Sequence, residues 1–133
     1  MIDQKIIKIA SNTKYASLKN IYTHKSSIKN SKCGDQIKIE IIVKQKKINI
    51  LRYETQSCIL CEASASFLAN KIDLFPIKNL KKNIKIIEKA VVNKNSNLPI
   101  KLKSLKNLIN NDNSSRKDCL MLPFNALLKA LKL

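Results

Sequence analysis

The stretch Gln36-Ile37-Lys38-Ile39-Glu40-Ile41-Ile42-Val43 decides the fold of this chain. Ile37, Ile39, Ile41 and Val43 alternate with Gln36, Lys38, Glu40 and Ile42, and a period of two lays one apolar row along one face of a strand. Lys44 to Lys47 follows as a short turn, and Ile48 to Thr55 returns as a second strand. Together they predict an antiparallel hairpin. Two chemically distinctive sequences flank its open end. Asn30-Ser31-Lys32-Cys33-Gly34-Asp35 reads as a turn before the first strand, and Ser57-Cys58 stands just after the second. A hairpin ends where it begins, so Cys33 and Asp35 are expected at the same end of the sheet as Cys58. Gly34 is the single glycine in the chain, which marks a backbone position needing positive φ or close approach.

Outward from the hairpin, Ile59 to about Ile72 reads as a helix. Its run Ala63-Ser64-Ala65-Ser66 is small enough to lie close against the sheet, with Phe67 and Leu68 filling space beyond. Cys58 therefore opens a helix, where partial positive charge favours the thiolate, the form that binds metal and attacks sulfur. Upstream, Asp3 to about Ser11 predicts a short helix with Ile2, Ile6 and Ile9 on one side. Residues 12–21 read as mixed loop and helix, and Tyr22 to Ile28 as an edge strand. His24, the only histidine, lies there among polar neighbours and reads as a solvated residue rather than a ligand.

Downstream, Pro76 marks a break, and residues 77–92 form an amphipathic helix with Ile77, Leu80, Ile84, Ile87 and Val91 on one stripe. Asn93 to Asn97 is a loop, and Pro99 starts a helix carrying Leu102, Leu105, Leu108 and Ile109. Asn110 to Ser115 is a second polar loop. It leads through Arg116-Lys117-Asp118 to Cys119, in turn-like surroundings, and to a last helix from near Pro123 to Leu133, with Pro123 in its first turn. The expected fold is α+β, one domain over residues 1–133. A small antiparallel sheet of about three strands carries helices on one face and a metal site at one edge.

At 133 residues with 44% apolar content and no Trp, the chain supports one modest aliphatic core. The formal charge is +17, carried almost wholly by Lys, with Arg only at Arg52 and Arg116. Lys, Ile and Asn enriched together is what AT-rich codon usage produces. A nucleic-acid surface calls for a basic face interleaved with Arg, Gly and stacking aromatics. Here the lysines are scattered over nearly every segment, so a solvated surface is the favoured reading. A small basic nucleic-acid-binding protein with incidental cysteines is the alternative. No stretch approaches the ~18 apolar residues of a membrane span, and no signal peptide is read at the N-terminus. The expected compartment is the cytoplasm, where cysteines stay reduced and metal or sulfur chemistry outranks disulfides.

The four cysteines do not spell a zinc finger. Cys58 and Cys61 have CxxC spacing, but no second CxxC exists. A thioredoxin-like pair is disfavoured without the βαβ context and an intervening Gly or Pro. Cys61, on the first helical turn among small residues, reads as a small buried hydrophobe. Cys33, Asp35, Cys58 and Cys119 are instead read as converging on one metal or iron–sulfur site.

Cys33-Gly34-Asp35-Gln36-Ile37, then Cys58 with Ala63-Ser64-Ala65-Ser66, then Arg116-Lys117-Asp118-Cys119 and a closing helix resemble the NifU N-terminal (IscU/SufU) family of iron–sulfur cluster scaffolds. The resemblance spans about residues 22–131, with three separated motifs in the family's order. It implies three cysteine ligands, Cys33, Cys58 and Cys119, with Asp35 as the fourth ligand or the group that makes the site labile. The same site then takes a [2Fe–2S] cluster or Zn²⁺. It further implies a cysteine desulfurase (SufS/IscS-like) as sulfur donor, with Cys119 the candidate acceptor, and apo iron–sulfur proteins or downstream carriers as recipients. The implied role is a scaffold or sulfur-transfer protein rather than an enzyme, with no membrane and no specific nucleic acid. The span from Cys58 to Cys119 and Arg116 before the last cysteine resemble the SufU-like branch. Asp118 stands where the IscU-like branch has His, Lys32 replaces a frequent Pro, and the Leu-Pro-Pro-Val-Lys chaperone motif is missing. Leu122-Pro123-Phe124 resembles a divergent SufU-like subgroup. Cys61 falls where relatives carry Ser or another residue, as a spare thiol.

Overall fold

A computed structural model describes residues 4–31, 34–93, 98–109 and 117–133. Three strands, β1 (His24–Lys29), β2 (Gln36–Lys44) and β3 (Lys47–Gln56), form an antiparallel meander in the order β1-β2-β3. Helix α1 (Gln4–Ala10) precedes the sheet, and α2 (Ile59–Asn70), α3 (Leu80–Val92) and α4 (Lys117–Leu131) follow it. The α+β class with a three-stranded sheet matches the sequence expectation.

The alternation read in β2 holds for its inward row. Ile37, Ile39 and Ile41 are buried opposite Thr55, Tyr53 and Leu51 of β3. The register shifts between Ile42 and Val43, so Val43 faces Ile48. Gln45 (φ 51°) and Lys46 (φ 63°) close the hairpin with two consecutive positive φ values, the signature of a type I′ turn whose twist suits the strands. At the other end of β2, Gly34 has φ 77°. Its N–H donates to the Asn30 carbonyl at 2.8 Å, while the Asn30 N–H donates to the Asp35 carbonyl at 2.7 Å. The single glycine thus serves the turn that delivers Asp35.

β1 is an edge strand, latched to α4. Ser26 Oγ donates to the Ala126 carbonyl at 2.6 Å, and Lys129 Nζ donates to the Ser27 carbonyl at 2.8 Å. Residues 12–21 contain no helix, contrary to the mixed expectation, and run as an irregular crossing. Glu40 explains their path: its Oε1 accepts from the backbone N–H groups of Lys19 (2.9 Å) and Asn20 (3.0 Å). A strand residue expected to face solvent is therefore buried.

α2 packs against α1, β3 and α4. Its small residues, Ala63, Ser64, Ala65 and Ser66, are all buried, and they admit two neighbouring helices as well as the sheet. In α3, Leu80, Ile84, Ile87 and Val91 are buried as the stripe predicts, and a 3₁₀ turn at Ile77–Asn79 leads in after Pro76. The segment after Pro99 is a 3₁₀ helix, Ile100–Asn107, rather than an α-helix. Leu102, Leu105 and Leu108 are buried at a spacing of three, which lines up on one face only at three residues per turn.

The last helix requires the largest correction. It begins by Lys117, not near Pro123, so Cys119 lies in its first turn and Pro123 inside it. Burial explains the tolerance: Leu120, Met121, Leu122, Pro123 and Phe124 are all in the core, and Phe124 meets Phe75 at a centroid distance of 5.8 Å. Packing on this scale outweighs the ~3 kcal/mol cost of an interior proline. The loops expected at residues 94–97 and 110–115 lie outside the described residues.

Candidate metal centre

Three elements deliver one polar cluster to the open end of the β2–β3 hairpin. Asp35 comes from the turn before β2, Cys58 from the junction of β3 and α2, and Cys119 from the first turn of α4. Their ligand atoms, one carboxylate oxygen and two Sγ atoms, all lie within 4.8 Å of one another. Two donors at ~2.3 Å from one ion stand at most ~4.6 Å apart. The cluster is thus at or within a small closing movement of common coordination.

Each member is held by the surrounding chain. Cys58 is the N-cap of α2, with extended backbone (φ −68°, ψ 164°) and no side-chain capping bond. Its carbonyl accepts from the Glu62 N–H at 3.1 Å, while its own N–H donates to Asp35 Oδ1 at 3.2 Å. The positive end of α2 also favours a carboxylate there. Asp35 is 6% exposed, and its Oδ2 is buried with no hydrogen-bond partner among the described residues. Leaving a buried carboxylate oxygen in that state is costly, and a bound cation is one of the few things that relieves it.

Cys119 is placed by a helix–helix pin that sequence reasoning missed. Ser64 Oγ donates to the Leu120 carbonyl at 2.6 Å, tying the middle of α2 to the residue after Cys119. Pro123 has no N–H to give to the Cys119 carbonyl, so this turn of α4 depends more on side-chain support. The signal in the sequence is Ser64 itself, whose hydroxyl between Ala63 and Ala65 offers a donor as well as a small volume. Beyond the pin, Lys117 Nζ lies 3.7 Å from Glu88 on the exposed side.

Cys119 is buried and Cys58 half-buried, so the cluster opens to solvent through Cys58. Cys61 is fully buried on α2 and belongs to the hydrophobic core. Neither Cys61 nor His24 is part of the cluster. His24 sits at the start of β1, its Nδ1 2.9 Å from Thr23 Oγ1. Cys33, Lys32 and Arg116 lie outside the described residues. Two soft sulfur donors beside one hard oxygen suit zinc or iron and do not suit magnesium or calcium. Among the described residues no helix is long and apolar enough to cross a membrane.

Comparison with known proteins agrees with this architecture. An uncharacterized protein of Borreliella burgdorferi is 33% identical over 102 residues, which is 77% of this chain and 70% of that protein. The N-terminal nitrogen-fixing NifU-like protein of Brucella abortus has the same fold, with a TM-score of 0.80 and 16% identity over 98% of this chain and 91% of that one. So does a putative iron–sulfur cluster assembly scaffold protein for the SUF system from Fervidobacterium islandicum, with a TM-score of 0.83 and 20% identity over 98% and 96% of the two chains. The description NifU-like N terminal domain matches residues 3–132, nearly the whole sequence. A thiol–carboxylate cluster at the open end of a three-stranded meander is thus set in a chain that belongs to the NifU-like N-terminal domain family.

Proposed function

We propose that this chain is an iron–sulfur cluster assembly scaffold whose site is formed by Cys33, Asp35, Cys58 and Cys119. The observation that carries the reading is the convergence of Asp35, Cys58 and Cys119 within 4.8 Å, around a buried Asp35 oxygen that has no hydrogen-bond partner among the described residues. Cys33, two residues before Asp35 in the sequence, is the residue proposed as the fourth donor. Family membership and the shared fold of a SUF-system scaffold support the role.

The donor set suits cargo that must leave again. Iron–sulfur clusters usually take four thiolates. Replacing one by a carboxylate substitutes a hard oxygen for a soft sulfur and loosens the hold. The half-buried Cys58 gives a partner a way in, while Asp35 and Cys119 stay shielded from bulk water. The same four residues would hold Zn²⁺ tetrahedrally, and bound zinc would supply stabilised thiolates at neutral pH. In that form Cys119 is the residue assigned to accept persulfide sulfur from a cysteine desulfurase. Apo iron–sulfur proteins or carriers would be the recipients, in the cytoplasm, with residues 1–133 acting as one domain and no catalytic turnover of their own.

Iron, zinc and acid-labile sulfide measured on anaerobically purified protein test this directly. A stoichiometric cluster or one zinc per chain is the expected result, and neither metal above trace levels after reconstitution would contradict it. Asp35→Ala is expected to slow transfer of a bound cluster to an apo acceptor. Faster loss in that variant would contradict the role given to the oxygen.

A further inference from the structure

The proposed scaffold site leaves Cys61 unused, although it stands three residues from Cys58 on the first turn of α2. The relation between the two positions is specific. Cys58 is the N-cap of α2 and α2 begins at Ile59, so Cys61 is the third helical residue. An N-cap side chain in its capping rotamer turns back toward the backbone N–H of that third residue, and in a capping box the third residue's side chain reaches back toward the N-cap. Here Cys58 makes no capping bond. Its Sγ lies instead with Asp35 and Cys119. A χ1 rotation of Cys58 toward the capping rotamer therefore turns its sulfur away from the cluster and toward the third helical residue, Cys61. The extended backbone of the N-cap (ψ 164°) leaves that rotation outside the helical turn that restricts side chains further along.

The surroundings divide the labour between the two thiols. Cys58 is half-buried and reachable, at the positive end of a twelve-residue helix, whereas Cys61 is 0% exposed. An accessible thiol at a helix N-terminus beside a second, shielded one is the arrangement of a reacting and a resolving cysteine. Asp35 Oδ2, buried with no hydrogen-bond partner among the described residues, stands beside Cys58 as the metal side of the same junction.

We propose that Cys58 and Cys61 form a dithiol–disulfide pair, and that closing it withdraws Cys58 from the metal cluster. With a peroxide as oxidant, the Cys58 thiolate attacks one peroxide oxygen and the O–O bond breaks. The products are a Cys58 sulfenic acid and, after protonation, water. The Cys61 sulfur then attacks Cys58 Sγ, the S–O bond breaks, and the departing hydroxide takes the Cys61 proton as a second water. Two thiols lose two electrons and two protons in all, and the peroxide is reduced to two waters. A dithiol reductant reverses the change. Bound metal opposes it, because Cys58 cannot serve both partners.

The test uses the full metal-free chain and one equivalent of hydrogen peroxide. Cleavage after Arg52 and Lys71 puts Cys58 and Cys61 on one peptide, Tyr53 to Lys71, whereas Cys119 falls on Asp118 to Lys129. The expected product is the Tyr53–Lys71 peptide lighter by two hydrogen atoms, restored by dithiothreitol. Cys61→Ser and, separately, Cys61→Ala are expected to accumulate a Cys58 sulfenic acid that dimedone traps. A cross-link between the two peptides, or both thiols still open to alkylation, would overturn the proposal. Zinc loaded beforehand is expected to slow closure by at least ~10-fold, since a metal-bound thiolate is withheld from exchange. Closure at an unchanged rate with zinc present would keep the pair and count instead against Cys58 as a ligand, so the two readings fail separately.

Discussion

Asp35 and Glu40 are two carboxylates at or on the same strand, 6% and 5% exposed, and the fold treats them in opposite ways. Glu40 Oε1 accepts two backbone N–H groups from the crossing segment at Lys19 and Asn20. It organises a loop and its charge is answered by peptide donors. Among the described residues Asp35 receives one N–H, from Cys58, and its other oxygen is buried without a partner beside two thiols. Burial alone does not mark a functional carboxylate. What separates the two is whether the protein itself has satisfied the charge. Among the described residues Glu40 is answered by two peptide donors, whereas one Asp35 oxygen is left open, as the proposed site requires.

The contrast predicts, first and with the largest effect, that Cys58→Ala and Cys119→Ala each weaken zinc binding by at least ~100-fold, since each removes one of the proposed ligands. Cys33→Ala should do the same, whereas Cys61→Ser and Glu40→Ala should leave affinity nearly unchanged in a competition titration with a chromophoric chelator. Equal loss from all four cysteine variants would break the distinction between site and core.

Stability of the metal-free chain should show the reverse order. Glu40→Ala strands two backbone donors and is expected to cost about 2–3 kcal/mol in urea unfolding. Asp35→Ala loses the hydrogen bond from Cys58 but also removes a buried oxygen with no partner among the described residues, so a change of less than ~1 kcal/mol is expected. A large loss from Asp35→Ala with none from Glu40→Ala would invert the account. Next in size, Ser64→Ala should cost about 1 kcal/mol by taking a donor from the buried Leu120 carbonyl. It should also weaken zinc binding, because α4 then holds Cys119 less firmly. A stability loss with full zinc affinity would mean that the pin supports the fold and not the site.

The smallest effect concerns a group tied to neither carboxylate. Desolvation by burial pushes the Tyr53 phenol above its ordinary value, Glu62 adds to the rise, and a hydrogen bond with Ser66 opposes it. The folded chain then keeps a proton that the unfolded chain gives up above pH ~10, so Tyr53 makes stability fall as pH rises through that range. Stability below pH ~10 is unaffected by this titration. Tyr53→Phe should flatten the decline, while Asp35→Ala and Glu40→Ala should leave its slope alone. An identical slope in wild type and Tyr53→Phe would remove Tyr53 as the cause.

Much of this architecture was legible because its signals are local. The alternation of Ile37, Ile39 and Ile41 carries its period on its face, and a hairpin must bring its two flanks together. The convergence of Asp35 and Cys58 follows from those two facts. Other features depend on partners distant in sequence. Gln45 and Lys46 adopt the φ values usually left to Asn and Gly, because strand pairing on both sides imposes the turn. Glu40 looked like a solvent-facing residue because the segment that covers it has no periodicity of its own. The early start of α4 was hidden by Pro123, whose usual place is the first turn. Core packing around Leu120, Met121, Leu122 and Phe124 overrides that preference, and with it moves Cys119 from a turn to a helix. The leucine spacing of three from Leu102 through Leu105 to Leu108 carries the 3₁₀ period, which a reading of the segment simply as a helix leaves unspecified.

The central claim is that Cys58, Cys119 and the Asp35 carboxylate share one ion. Zinc-edge X-ray absorption on the zinc-loaded chain measures that first shell directly. The account predicts a mixed shell, with sulfur at ~2.3 Å and a lighter oxygen donor at ~2.0–2.2 Å, and fewer sulfur neighbours in Cys58→Ala. A shell of oxygen and nitrogen alone, identical in wild type and Cys58→Ala, would contradict it.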